Sequence, residues 1–256
     1  MILVKLGGSV ITDKSQYQAL RQEVLVRLCE EISDSGEDVI IVHGAGSFGH
    51  IMAHDHCLAD GYKYESQVNA LATVSRDVRQ LNLMVLDAML SAGISPVSLP
   101  PSACVVMHDR EITEIDFDRI RSYIKLGISP VMFGDVALDE SQGFSICSGD
   151  QIMEALAREL VPERVIFVSD IDGIMDRDPS EPGANLIECV KPSDMDHMKF
   201  HVRVKDVTGG IKKKLIAMIG MVGPGRTCII INGNVPGRLK AALRGDEVIG
   251  TKVELD

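Results

Sequence analysis

Val39-Ile40-Ile41-Val42 is an unbroken apolar run, and the eight residues after it, His43-Gly44-Ala45-Gly46-Ser47-Phe48-Gly49-His50, set three glycines between two histidines. A short continuous apolar run that ends in glycine reads as a strand buried on both faces. Bare backbone at the end of such a strand lets main-chain N–H groups approach an anion closely, and a helix starting there adds a favourable dipole. The pattern recurs. Residues 2–6 read as a strand and run into Gly7-Gly8-Ser9, and Ser148-Gly149-Asp150 stands just before a helical stretch. In open parallel sheets, ligands bind beyond the carboxyl ends of the strands. The three glycine turns therefore mark one end of a sheet as the working end.

The rest of the chain keeps the same rhythm. Further strands are predicted at residues 96–99, 130–133, 165–168 and 228–231. Apolar residues at Leu20, Val24, Leu28 and Ile32 line one face of a helix. Val68, Leu71, Val78, Leu81, Val85 and Met89 mark a long one ending near Gly93. Other helices are predicted near residues 116–126, 151–160, 211–222 and 235–243. Alternating strands and helices with near-continuous apolar strands imply an α/β fold, a mainly parallel sheet covered by helices on both faces. No internal repeat is visible. Pro162-Glu163 is a plausible seam in one continuous two-lobed domain, with residues 1–162 as the N-terminal lobe and 163–256 as the C-terminal lobe.

Composition narrows the function. The chain has 256 residues, 45% of them hydrophobic, enough for a substantial core. Twenty-six Lys and Arg stand against 37 Asp and Glu, a net charge of −11. That argues against nucleic acid as a partner, since phosphate backbones reward basic surfaces. The apolar runs are strand-sized, too short for a membrane span, and Met1 leads directly into a strand with no signal-peptide pattern. A cytoplasmic protein is expected. Its six cysteines include no CxxC pair and are expected to be reduced and mostly buried.

Several features suit phosphoryl transfer, which needs cations where charge builds up. Lys5 ends the first strand, Lys14 follows in the next loop, and Thr208-Gly209-Gly210-Ile211-Lys212-Lys213-Lys214 places a lysine run at a helix start. Asp150, Asp170 and Asp172 are candidates to organise these lysines or to hold a metal. A Walker P-loop is absent. Gly44 to Gly49 matches GxGxxG letter for letter, but without an acidic residue at a ribose-binding distance. His50, His54 and His56 with Asp55 and Cys57 resemble a metal cluster, yet HEXXH is missing and no distant ligand completes the set, so no metal site is expected there. His50 differs from its neighbours because it closes the glycine loop, where an imidazole can donate a hydrogen bond to a phosphate oxygen.

Seven segments together carry a resemblance: KLGGSVITDK (residues 5–14), HGAGSFGH (43–50), PVMFGDV (130–136), FSICSGDQI (144–152), VSDIDGIMDRDP (168–179), DVTGGIKKK (206–214) and GTKV (250–253). The chain resembles the amino acid kinase superfamily and, within it, the isopentenyl phosphate kinases. KLGGS and SDIDG are widespread in the superfamily; HGAGSFGH, with its closing histidine, is the more specific signal. The resemblance implies an open three-layer αβα sandwich with an acceptor-binding, dimer-forming N-terminal lobe and a nucleotide-binding C-terminal lobe. It implies ATP-dependent phosphorylation of isopentenyl phosphate to isopentenyl diphosphate on an alternative mevalonate route, with Mg²⁺ arriving with ATP. Lys5, Lys14 and Lys214 match lysines that hold the phosphates, and Asp150 an acid that orients them. His50, Gly44, Ala45 and Gly149 match positions that touch the acceptor phosphate. Leu6, Gly7, Gly8, Ser9, Gly46, Asp170, Gly209 and Gly210 match the nucleotide and transferred-phosphoryl side. Two positions depart from the family pattern: Ile51 where proline often follows the histidine, and Lys213 where glycine precedes the last lysine. Met84, Val85 and Met89 are candidates for an acceptor-tail pocket, with core packing the alternative. Other acceptors on the same fold (fosfomycin, another small phosphate or a carboxylate) and a non-catalytic nucleotide-binding protein are the rival readings.

Overall fold

The computed structural model describes residues 1–177, 183–196 and 210–256, with residue 196 and residues 210–213 described by backbone alone. In chain order the elements begin β1 (Ile2–Leu6), α1 (Gly8–Ile11), α2 (Gln22–Ser35), β2 (Val39–His43), α3 (Gly46–Asp55) and α4 (Ser66–Ser91). Next come β3 (Pro96–Ser98), α5 (Pro101–Cys104), β4 (Val105–His108), β5 (Glu111–Ile115), α6 (Phe117–Lys125) and β6 (Ser129–Phe133). The second half holds β7 (Asp135–Asp139), β8 (Gly143–Cys147), α7 (Gly149–Leu160), β9 (Arg164–Ser169), β10 (Cys189–Val190), α8 (Gly210–Met221), β11 (Thr227–Asn232), α9 (Arg238–Arg244) and β12 (Gly250–Val253).

Eight strands form the main sheet in the order β10-β12-β11-β9-β1-β2-β6-β3. From β11 to β3 every neighbouring pair is parallel; β12 runs antiparallel to β11. Alternation along each strand sends successive side chains to opposite faces. In β1, Ile2, Val4 and Leu6 pack against α2, α4 and α9. Leu3 points the other way, into the layer of α6, α7 and α8. The result is the expected three-layer αβα arrangement, and the sheet crosses the proposed 162/163 seam without a break because β1 pairs directly with β9.

A second sheet, β5-β4-β7-β8, has no counterpart in the sequence reading. Its strands lack long apolar runs: β5 is Glu-Ile-Thr-Glu-Ile and largely exposed. The β7–β8 hairpin has a positional consequence. Asp135 pairs with Cys147, so the hairpin leaves the carboxyl end of β6 and returns the chain beside it, ready to start α7. The predicted helices lie within a few residues of their observed bounds. Of the cysteines, Cys29, Cys147 and Cys228 are buried, Cys104 is half-buried, and Cys57 and Cys189 are exposed, so burial covers fewer of them than expected; all six are free thiols. His54 and His56 are exposed. No helix among the described residues is long and apolar enough to cross a membrane.

The first two glycine turns pack backbone against backbone. A Cβ on Gly8 would sit 2.6 Å from the Gly46 nitrogen, and one on Gly44 would sit 2.6 Å from the Gly8 nitrogen. Gly46 has φ +51° and abuts Thr12. Thr12 Oγ1 donates to the Gly8 carbonyl at 2.7 Å and accepts from the Ser47 N–H at 3.0 Å, tying the two turns together. Gly8→Ala is therefore expected to cost more than about 2 kcal/mol of unfolding free energy, because no flexible side chain can yield. Gly93→Ala, at φ +85° with open space around it, is expected to cost only ~1 kcal/mol of backbone strain. Denaturant melts of both variants check the contrast; equal losses would remove the close-packing role.

Candidate active site

The carboxyl ends of β1, β2, β6 and β9 lie at one edge of the sheet, and the turns leaving them surround a cavity of about 190 Å³. β1 and the turn after it contribute Lys5, Gly7, Gly8 and Ser9, the turn after β2 contributes Gly44 and Ala45, the turn after β6 contributes Gly134, β7 begins with Asp135, and β9 contributes Val168 and Ser169. The β7–β8 hairpin adds Ser148, Gly149 and Asp150. Lys14 reaches in from the loop after α1, His50 from α3 and Lys214 from α8.

Local structure explains each placement. Ser148 caps α7 in a capping box: its side chain accepts from the Gln151 N–H at 3.2 Å, and Gln151 Oε1 accepts from the Ser148 N–H at 3.0 Å. That fixes Gly149 and Asp150 in the first helical turn, where unpaired N–H groups and the dipole favour negative charge. A Cβ on Gly134 would lie 3.4 Å from the Ala45 nitrogen and 3.6 Å from the Gly149 nitrogen, so two backbone N–H groups converge beside Gly134.

The charges are few and concentrated. Lys5 Nζ pairs with Asp150 Oδ1 at 2.5 Å and lies 5.8 Å from the centre of the ring of Phe167, its register partner on the neighbouring strand β9. Burial lowers the Lys5 pKa; Asp150 opposes this and the like charge of Lys214 adds to it. For Asp150, burial alone would raise the pKa, but Lys5 and Lys214 outweigh it and hold the carboxyl below its ordinary value. Asp150 is thus an ionised anchor between two lysines. His50 sits exposed at the rim, yet desolvation by the cavity wall, followed by repulsion from Lys14 and Lys5, lowers its pKa. An arriving anion would reverse that repulsion. Among the described residues no group of three or more His, Cys, Asp or Glu side chains could hold a metal ion by itself.

Most of the sequence candidates meet here: Lys5, Gly7, Gly8, Ser9, Lys14, Gly44, Ala45, His50, Gly149, Asp150 and Lys214 all line the cavity. Others stand behind it. Leu6 is core, and its carbonyl accepts from the Gly44 N–H at 2.9 Å. Gly46 is wedged against Thr12. Asp170 accepts from Ser9 Oγ at 2.8 Å, one step from the cavity; burial would raise its pKa, but Ser9 and then Lys14 help hold it low. Asp172 pairs instead with Arg238 at 2.5 Å. Gly210 starts α8, and Gly209 lies outside the described residues, as do the side chains of Lys212 and Lys213. Met84, Val85 and Met89 are not in the cavity; Val85 and Met89 are buried in the core and Met84 packs against it. The apolar wall is built instead by Val74 and Val78 of α4, with Ala53, Ile146 and Cys147. Sequence reasoning missed these, although Val78 lies on the same helical stripe. Gly134 and Asp135 sat within a noted motif without being singled out.

The model of the amino acid kinase family matches residues 1–232. An isopentenyl phosphate kinase of Methanothermobacter thermautotrophicus is 38% identical, covering 99% of this chain and 98% of the relative. One of Thermoplasma acidophilum is 37% identical, covering 99% of this chain and all of the relative. A crystal structure of isopentenyl phosphate kinase superposes with a TM-score of 0.87 at 36% identity, covering 99% of both chains. The family model and the full-length similarity to these relatives place this chain, with its glycine-lined, lysine-rich cavity, in the amino acid kinase family, within its isopentenyl phosphate kinase branch.

Proposed function

We propose that the protein transfers the γ-phosphoryl group of ATP to isopentenyl phosphate, yielding isopentenyl diphosphate and ADP. The observation that carries this reading is the pairing, in one cavity, of His50 and three lysines with the apolar wall of Ala53, Val74, Val78 and Ile146. The cationic part suits two phosphates, and the apolar part suits a short hydrocarbon tail. A carboxylate acceptor bearing polar groups would leave that wall without a partner.

The chemistry asks little of a general base. A phosphate monoester has a second pKa of about 6, so it is already a nucleophile at neutral pH. What opposes reaction is repulsion between two anions and the entropy of aligning them. In the proposed arrangement the acceptor phosphate rests against Ala45, Gly149 and His50. The nucleotide phosphates lie against Gly7, Gly8, Ser9 and Lys214, with the adenosine toward the C-terminal lobe. Lys5 stands between them, held by Asp150, and Lys14 closes the site from its loop. One acceptor oxygen forms a bond to the γ-phosphorus as the bond to the β-phosphate bridging oxygen breaks, and ADP leaves with that electron pair.

Mg²⁺ on the nucleotide would supply further charge neutralisation. Asp135 and Asp150 line the cavity and Asp170 stands one step behind it, and so small a donor set suits an ion bound mainly by phosphate and water. We also propose a homodimer formed through the N-terminal lobe. Leu83 and Leu90, seven residues apart on α4 and both exposed, offer it an apolar outer stripe.

His50→Ala is expected to lower turnover of isopentenyl phosphate on the order of a hundred- to a thousandfold while leaving ATP affinity intact, since His50 touches only the acceptor. Steady-state kinetics with calorimetric ATP binding test this, and equal losses of both would sink the assignment. Val74→Phe fills the apolar wall without touching the charges. It is expected to raise the KM for isopentenyl phosphate at least roughly tenfold, the scale of a few lost methylene contacts, with the KM for ATP unchanged. An unchanged acceptor KM would place the tail elsewhere.

A further inference from the structure

The stretch that ends in His50 begins with a histidine of opposite surroundings. His43 is fully buried, and burial pushes its pKa down to about 4, so the ring is neutral. Both ring nitrogens are nonetheless paired. Nδ1 lies 3.1 Å from the Gly44 carbonyl oxygen, which can only accept, so Nδ1 carries the proton. Nε2 is then an acceptor, 3.1 Å from Asn82 Nδ2. The Asn82 amide oxygen accepts in turn from Ser98 Oγ at 2.5 Å. The ring also stacks on Phe133, with centroids 5.2 Å apart and planes 13° apart. A one-way chain of donors therefore runs from Ser98 through Asn82 and His43 to the Gly44 carbonyl.

The Gly44 carbonyl belongs to the same peptide unit as the Ala45 N–H. In a planar trans peptide these two groups point in opposite directions. Holding the carbonyl on the buried side fixes the plane and aims the Ala45 N–H away from His43. That N–H sits at the start of α3, where the helix supplies no acceptor, and Ala45 and Gly44 both line the cavity. Apolar packing alone would be served by a leucine or phenylalanine at position 43. A buried imidazole with every polar atom satisfied instead specifies one orientation of its partner.

Resting on the proposed acceptor site, we infer that His43 is a positioning residue for the acceptor phosphate, acting through the Gly44–Ala45 peptide plane and buttressed by Asn82 and Ser98. His50 would touch the phosphate directly, whereas His43 sets the angle of a backbone donor beside it.

The test is kinetic and spectroscopic. His43→Phe keeps the stacked ring and removes both hydrogen bonds. It is expected to raise the KM for isopentenyl phosphate roughly tenfold, the scale of one misaligned hydrogen bond to a charged group, with the KM for ATP within about twofold. His43→Asn retains a donor near the Nδ1 position and is expected to recover most of the loss; His43→Gln, whose amide falls nearer Nε2, is not. Asn82→Leu, which leaves the ring in place but unsupported, is expected to move the acceptor KM in the same direction and serves if His43→Phe fails to fold. In the wild-type protein, ¹⁵N NMR of the imidazole is expected to show the proton on Nδ1. A proton on Nε2, an unchanged acceptor KM in folded His43→Phe or Asn82→Leu, or equal rises for ATP and acceptor would each overturn the inference. Wild-type turnover is measured first: its absence would refute the proposed activity, and the tautomer would still decide the orientation of the peptide.

Discussion

The active end of this protein depends on a contact between two backbones. Gly8 and Gly44 follow adjacent parallel strands, and their turns approach until no Cβ could stand between them. Two sides of the cavity hang from those turns. Ser9 and the start of α1 lie on one side, and Ala45 and the start of α3 on the other. Thr12 stitches the two together through one hydroxyl that both donates and accepts. Glycine is commonly read in such loops as room for a phosphate. Here its first task is to let the protein touch itself, and the anion site is the concavity that results.

Around that frame the electrostatics are economical. A protein with net charge −11 gathers Lys5, Lys14, Lys214 and His50 about one cavity, with Asp150 paired directly to Lys5. Without ligand, burial in the cavity wall is the main reason both Lys5 and His50 hold their protons less tightly than usual, and repulsion among the cations adds to it. Two phosphates entering the site would relieve that repulsion, so the same charges that destabilise the empty cavity favour the reacting complex. Electrostatic preorganisation of this kind requires the lysines to be fixed in advance. The Lys5–Asp150 pair, held by the capped first turn of α7, meets that need.

How much of this was legible in the sequence follows from what kind of signal each part leaves. β1, β2 and β9 are buried on both faces and announce themselves as apolar runs. Lys5, Gly7, Gly8 and Gly44 sit at the ends of the β1 and β2 runs, so their convergence at one end of a parallel sheet could be read from the sequence pattern. β5 is mostly polar and exposed, and β7 and β8, although largely buried, are five-residue strands whose apolar stretches of three residues or fewer are broken by acids, glycine or serine; nothing in so short a pattern separates them from loop. The hairpin they form is nevertheless what returns Ser148 and Gly149 to the cavity. The tail wall was misplaced for a related reason. Periodicity shows that α4 has an apolar face, but it does not say which turn of that face meets the core and which meets the cavity. Val85 and Met89 proved to be core, whereas Val74 and Val78 meet the cavity. His43 left no signal of its own, because its role rests on partners from α4 and β3 that are distant in sequence.

The proposed reaction requires the cavity to join ATP to a monophosphate with a short apolar tail. The most direct test is an ADP-release assay with Mg-ATP and a panel of acceptors: isopentenyl phosphate, dimethylallyl phosphate, fosfomycin, UMP, acetylglutamate and carbamate. Turnover confined to the two isoprenyl monophosphates is the predicted result. Silence with both, alongside turnover of a carboxylate or of a phosphate lacking the tail, would contradict it.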